Sequence, residues 1–234
     1  MRIGIWGHGR HTQTENWERL VWGDQKQQRL GTLPMMVLVA LNEGLAQVES
    51  FGFGTGASHT AGGRPEAVAM KELLMNRRGQ LLQFDRIKNH PQLRSNAGWG
   101  RLHRLIDTAA TDTISQNTAE EISQASKLFN AQHITKVVAV TNGSHAPRCI
   151  AEQVTAMHTG IIPLNQRWLV VADEMLYEGS KPHGTLVIEE WHRGANPCSP
   201  LSIPDVLRQI FGLPQDMWPE ALRQIQGVFE RLKA

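Results

Sequence analysis

The chain has 234 residues, of which 41% are apolar and 20% charged, and its formal net charge is +2. A chain of this size fits one generous domain or a domain with an extension, and its composition excludes a disordered polymer. So slight a charge imbalance gives no overall electrostatic footprint for nucleic acid or a membrane surface.

Residues 2–6 (RIGIW) are short, apolar and β-rich, and they stop at Gly7-His8-Gly9. The pattern predicts a first buried strand and a glycine turn. This apolar stretch is too short for the core of a signal peptide. No window approaches the roughly 18 apolar residues of a membrane span. The expectation is therefore a soluble, cytoplasmic protein with no membrane partner.

Residues 15–28 are polar around Trp17, Leu20, Val21 and Trp22, and read as a surface helix or an irregular excursion. Thr32-Leu33-Pro34 opens the next helix, with Thr32 or a neighbour as its cap and Pro34 in its first turn. The apolar run that follows, residues 35–41, has the length of a buried helix. Residues 48–53 are a second strand, closed by Gly54-Thr55-Gly56-Ala57-Ser58. Residues 65–77 form a helix with Val68, Leu73, Leu74 and Met75 as inward candidates. A third strand is expected over 81–84.

Residues 89–111 carry the weakest pattern: a loop over 96–100, then an amphipathic piece over 101–106. Trp99, between Gly98 and Gly100, is a candidate lid or stacking surface. Residues 118–130 predict a helix whose first turn holds Glu120 and Glu121, where negative charge favours the helix dipole. Residues 136–141 (KVVAVT) are the best strand, apolar on both faces as in the middle of a parallel sheet. Asn142-Gly143-Ser144 turns it into a helix beginning near Ala146-Pro147 and ending about His158. Strands over 168–172 and 185–188 and helices over 204–211 and 219–232 complete the reading. Strands and helices alternate through the first 160 residues, which predicts a mostly parallel sheet covered by helices on both faces.

In such a sheet ligands bind beyond the carboxyl ends of the strands, so each loop that follows a strand is a candidate. The first carries Gly7, His8, Gly9, Arg10 and His11, and the second Gly54, Thr55, Gly56, Ser58 and His59, followed by Glu66. The richest carries Thr141, Asn142, Gly143, Ser144, His145 and Arg148. Its physics suits a small polar ligand. Free amides opening a helix receive an anion, His145 exchanges a proton near neutral pH, and Arg148 offers a fork that matches phosphate or carboxylate. The competing reading is that Thr141 and Asn142 only cap the helix and Arg148 is solvated.

Several other chemistries find no support. The glycine loop matches neither GxGxxG nor a P-loop, and Ser144 lacks the GxSxG elbow of a nucleophilic serine. Cys149 and Cys198 match no zinc-ribbon spacing, and Cys149 is expected to pack as a small apolar residue. His8, His11, His59 and His145 could converge at one sheet edge near Asp107 or Asp112, but no histidine pair has HExxH spacing and no metal is expected.

Val140-Thr141-Asn142-Gly143-Ser144-His145-Ala146-Pro147-Arg148, taken with Gly54-Thr55-Gly56 and Pro65-Glu66-Ala67, resembles the SanA/YdcF-like family. A strand followed by H-x-x-R and a glycine loop are that family's signatures. Its middle motif is matched loosely by Asp107, Asp112 and Thr113, with Asn117 one place late. The resemblance spans residues 1–160 and implies a Rossmann-like three-layer α/β sandwich, with residues 161–234 as a C-terminal α/β extension packed on the same core. It further implies a polar pocket for a nucleotide-like ligand, S-adenosylmethionine among them. On that reading His145, Glu66 and Asp112 are the catalytic candidates. Gly7, His8, Gly54, Thr55, Gly56, Thr113, Asn117, Thr141, Asn142 and Arg148 line the ligand site. Two functions follow: a hydrolase or transferase acting on a phosphate-containing molecule, with His145 as acid/base and Arg148 as anion anchor, or a sensor module using the same pocket without chemistry.

Overall fold

The computed structural model describes residues 1–12 and 16–175. The chain divides into two compact units, Met1–Val187 and Ile188–Ala234, and the described residues belong to the first. The strand expected over 185–188, the helices expected over 204–211 and 219–232, and Cys198 lie outside the described residues.

The main sheet is built on β1 (Ile3–Gly7), whose five residues are all buried. Parallel neighbours flank it: β4 (Val48–Phe53) on one side and β6 (Lys136–Thr141) on the other. Beyond β4 lies the two-residue β5 (Ala110–Thr111), and beyond β6 lies β7 (Arg167–Ala172), giving the order β5-β4-β1-β6-β7. β2 (Gly23–Asp24) and β3 (Arg29–Leu30) form a separate antiparallel pair. β7 thus joins the same sheet past residue 160.

Side chains alternate between two cores, as a strand with both faces covered requires. Ile3, Ile5, Val138 and Val140 enter the larger cluster with α2 (Thr32–Glu43), α3 (Glu66–Arg77) and α5 (Asn96–Asp107). Trp6 and Val137 enter the other, with Ile122, Ala125 and Phe129 of α6 (Thr118–Ala131) and Ala156 of α7 (Ala146–His158). Every residue from Thr32 to Leu41 is buried. A helix that is apolar all round belongs inside, and α1 (Trp17–Trp22) and the short α4 (Asp85–Lys88) pack over α2. The protein is an α/β three-layer sandwich with a parallel five-stranded sheet, as the alternating pattern predicts.

Two expectations fail locally. Residues 81–84 are not a strand: Arg78–Gln83 form a 3-10 turn. Leu81, within that turn, and Phe84, the extended residue that ends it, are both buried. Residues 96–100 are not a loop but the start of α5, because Ser95 caps it by accepting from Gly98 N at 3.2 Å. Trp99 is therefore a helix residue packed against the larger core, not a lid. At α2 the cap is Gly31, while Thr32 Oγ1 donates to Asp173 Oδ2 at 2.7 Å.

The strand order singles out one point on the carboxyl edge of the sheet. From β1 the chain builds β4 and β5 on one side, then returns to build β6 and β7 on the other, so the order reverses between β1 and β6. In open parallel sheets such a reversal is where ligands are commonly bound. The ladder continues one residue into each loop there. His8 N donates to Val140 O at 2.9 Å, Gly54 N to Gly7 O at 2.8 Å, Asp112 N to Phe53 O at 2.8 Å and Asp173 N to Thr141 O at 2.7 Å. Four post-strand loops are thereby aligned side by side.

Candidate functional site at the carboxyl edge of the sheet

His8, one residue past β1, is fully buried. Its Nδ1–H donates to Glu121 Oε2 at 2.5 Å. Glu121 comes from the first turn of α6, started by Asn117, whose Oδ1 accepts from Glu120 N at 2.9 Å. The other carboxylate oxygen, Oε1, accepts from Thr55 Oγ1 at 2.6 Å. Thr55 has φ 85, a left-handed conformation rare for a β-branched residue. Its two hydroxyl contacts, to Glu121 and from Gly9 N at 3.3 Å, hold it there. Gly54 is required beside it, because a Cβ would stand 2.6 Å from Glu121 Oε2 and 2.8 Å from Trp6 Nε1.

His145 sits at the N-cap of α7, and Cys149 lies one turn along the same face. One ligand atom from each of His8, His145 and Cys149 lies within 4.8 Å of the other two, and all three residues are buried. The two imidazoles meet edge to face, 5.8 Å between centroids. Thr118 Oγ1 lies 3.4 Å from His145 Nε2. His8 Nε2 is buried and makes no hydrogen bond of ordinary geometry among the described residues.

Electrostatics in this cluster are mutual. Burial opposes charge on every member, lowering the His8 pKa and raising that of Cys149, but the neighbours outweigh it. Cys149 and Glu121 bring His8 up to about 9. His145 and His8 bring the Cys149 thiol down to about 6. Glu121 is held below the usual carboxylate range, again against burial, by His8, Thr55 and His145. The cluster thus favours imidazolium beside thiolate and carboxylate.

The other sequence-predicted residues divide into scaffold and rim. Glu66, buried at the start of α3, does not meet His145. Its carboxylate accepts from Arg10 N (2.7 Å), His11 N (3.0 Å) and Trp17 Nε1 (2.6 Å), so it clamps the loop that carries His8. Asp112 is likewise engaged with its own backbone, accepting from Ile114 N, Ser115 N and the Ser115 hydroxyl. Thr113 and Asn117 are exposed. Gly56 packs against the backbone of Thr113 and Ile114, and a Cβ on Gly7 would stand 2.4 Å from Met36 Sδ. Thr141 is buried with no partner for its hydroxyl among the described residues. Asn142 accepts from His145 N through its side chain at 2.9 Å and from Ala146 N through its carbonyl at 3.0 Å. Those amides, expected to receive an anion, are engaged by the turn itself, and Pro147 has none. Arg148, half-buried in the first turn of α7, offsets the charge of Glu152 one turn on. His11 and His59 are exposed, and Asp107 pairs with Arg78 on the surface.

Sequence reasoning missed two members of the cluster. Cys149 was expected to be packing, and Glu121 only a helix-dipole residue. The spacing of His145 and Cys149, i and i+4 on a predicted helix, is the signal that pairs them. A buried ion pair, Arg10 Nη2 to Asp173 Oδ1 at 2.5 Å, also joins the first loop to the end of β7. Among the described residues no helix is long and apolar enough to cross a membrane. No protein-family model matches the chain, nor does any curated protein or solved structure.

Proposed function

We propose that this α/β protein, a SanA/YdcF-like one by the resemblance of its motifs, takes a nucleotide-like or phosphate-containing small molecule in the crevice between the β1 and β6 loops. The observation that carries the reading is the convergence of His8, Glu121 and His145 at the point where strand order reverses. With the helix-opening amides engaged by Asn142, the anion anchor is Arg148, whose planar fork suits phosphate. His145 has slight exposure and neighbours a paired imidazole, so it is the group that exchanges a proton with the ligand. Such transfers contribute about 10²–10⁴-fold when well placed. The reaction class is hydrolysis or group transfer in a cytoplasmic enzyme.

The non-catalytic reading has one observation in its favour: Glu66 and Asp112, expected to assist His145, are engaged elsewhere, Glu66 by the loop after β1 and Trp17, Asp112 by its own turn. A thermal-shift series with nucleotides, sugar phosphates and S-adenosylmethionine tests both readings. Stabilisation by a phosphate-bearing compound, lost in Arg148→Ala, is the expected result, with conversion of that compound abolished in His145→Ala. A ligand recovered unchanged after long incubation selects the sensor reading. Equal stabilisation of wild type and Arg148→Ala refutes the anchor.

A further inference from the structure

We propose that His8, His145 and Cys149 form a binding site for one divalent transition-metal ion of the zinc class, with Glu121 orienting His8. The site deepens the ligand crevice proposed above by giving its floor a metal, but ion binding itself does not depend on that ligand.

The donor set is the first argument. Two imidazoles and a thiolate select zinc-class ions and discriminate against magnesium and calcium, which prefer oxygen. The spacing is the second. Tetrahedral zinc with nitrogen at about 2.0–2.1 Å and sulfur at about 2.3 Å separates its ligand atoms by about 3.3–3.7 Å. The three atoms here already lie within 4.8 Å of one another, so an ion closes the triangle by small side-chain movements. The third argument is His8 itself. Nδ1–H is bound to Glu121, which leaves Nε2, fully buried and without an ordinary hydrogen-bond partner among the described residues. A buried polar atom in that state asks for a partner. A carboxylate holding the remote N–H of a metal-ligating histidine is the usual supporting arrangement.

Charge is the fourth argument, and it concerns the whole cluster. A divalent ion, one thiolate and the Glu121 carboxylate sum to zero around two neutral imidazoles. A buried charge is tolerated when it is compensated on the spot. The groups around the cluster fit this count: Thr55 and Thr118 are uncharged hydroxyls, Glu152 beside His145 is offset by Arg148, and burial biases the Glu66 carboxyl near Glu121 towards its neutral form. Three protein ligands leave a fourth position, as in zinc sites that act on substrate. His145 is the one ligand with any exposure, so that position faces the crevice. With the ion bound, His145 is a ligand and the metal takes over polarisation of the small molecule. In the metal-free protein His145 remains the proton carrier.

The test uses the full-length protein stripped with a chelator and titrated with cobalt(II), whose spectrum reports thiolate ligation. One equivalent should bind, with a near-ultraviolet thiolate-to-cobalt charge-transfer band and the strong visible bands of a tetrahedral site. Cys149→Ser should lose the charge-transfer band, whereas Cys198→Ser should keep it. His8→Gln should weaken binding at least 100-fold, and Glu121→Gln by about 10–100-fold, as for other outer partners of metal ligands. Circular dichroism of each variant separates loss of the site from loss of the fold, and Cys149→Ala, which buries no unpaired hydroxyl, serves where Cys149→Ser does not fold. Cobalt bound without the charge-transfer band, a band unaffected by Cys149→Ser in folded protein, or wild-type affinity in His8→Gln overturns the proposal. Nucleotide stabilisation in the thermal-shift series fails or succeeds separately, so the two readings are not confounded.

Discussion

Glu66 was a catalytic candidate by sequence, and the structure makes it a clamp. Replacing it with Ala separates these roles. Three donors lose their acceptor: Arg10 N, His11 N and Trp17 Nε1. The Arg10 amide is buried, and an orphaned buried donor costs about 1–3 kcal/mol. The other two are partly buried and can turn to water, so each forfeits only the net value of its bond, about 0.5–1.5 kcal/mol. Removing a buried carboxylate returns part of the sum, because burial opposes its charge. The balance is a destabilisation of about 2–4 kcal/mol, or about 4–16 °C in Tm for a unit of this size. Urea unfolding followed by tryptophan fluorescence measures it. Because the freed segment carries His8, the cobalt affinity should fall as well. A loss of stability below about 0.5 kcal/mol, with ligand conversion abolished, would refute the clamp and return Glu66 to the chemistry.

The same carboxyl gives a pH prediction. Burial raises its pKa above the ordinary 4.5. The folded chain therefore binds this proton more tightly than the unfolded one, and the resulting stability is full below 4.5 and declines as pH rises through the folded value. The deficit of Glu66→Ala should accordingly be larger at about pH 4.5 than at neutral pH, and an equal deficit at both would contradict the shift. Phe129→Ala should cost about 3–5 kcal/mol, because its fully buried ring packs edge-on to Trp6 at 5.9 Å and fills the space over Gly4; calorimetry checks it. Gly98→Ala has two opposed terms. Helix propensity favours Ala by about 0.5–1 kcal/mol, but the new Cβ would stand 1.8 Å from the Gln92 carbonyl oxygen, a backbone atom. Overpacking of this kind costs about 1–3 kcal/mol, so the variant should melt lower than wild type.

What the sequence disclosed and what it concealed have different physical origins. The parallel sheet was legible because its central strands, β1, β4 and β6, are buried on both faces. Residues 136–141 have no polar alternative, and the intervening segments are long enough to cross over. The 3-10 turn at Arg78–Gln83 was not legible, since Leu81 and Phe84 give the same short apolar signal in a strand and in a tight turn. Only the neighbouring core decides between them. α5 was hidden for a local reason: Gly98 and Gly100 lower helix propensity, and Ser95 restores the start by capping.

The site shows the same division more sharply. Placement at the carboxyl edge follows from topology, and His8 and His145 could be named from their loops. Their partners could not be named that way, because residues were assigned to chemistry by loop membership. Glu121 and Cys149 are helix residues that reach the edge by pointing inward from first turns, as Glu66 does for the opposite purpose. Acidic residues in a first turn ordinarily serve the helix dipole, and nothing in the local pattern separates Glu120, which faces Asn117 and solvent, from Glu121, which faces His8. Gly54 provides the discriminating physics only in three dimensions. Its missing Cβ is what admits the Glu121 carboxylate between the β1 and β4 loops. A glycine in a post-strand loop therefore has two meanings, access for a ligand phosphate or access for one of the protein's own buried charges. Here the close approach of Glu121 to Gly54 shows the second, and the acidic group so admitted is the one that fixes His8.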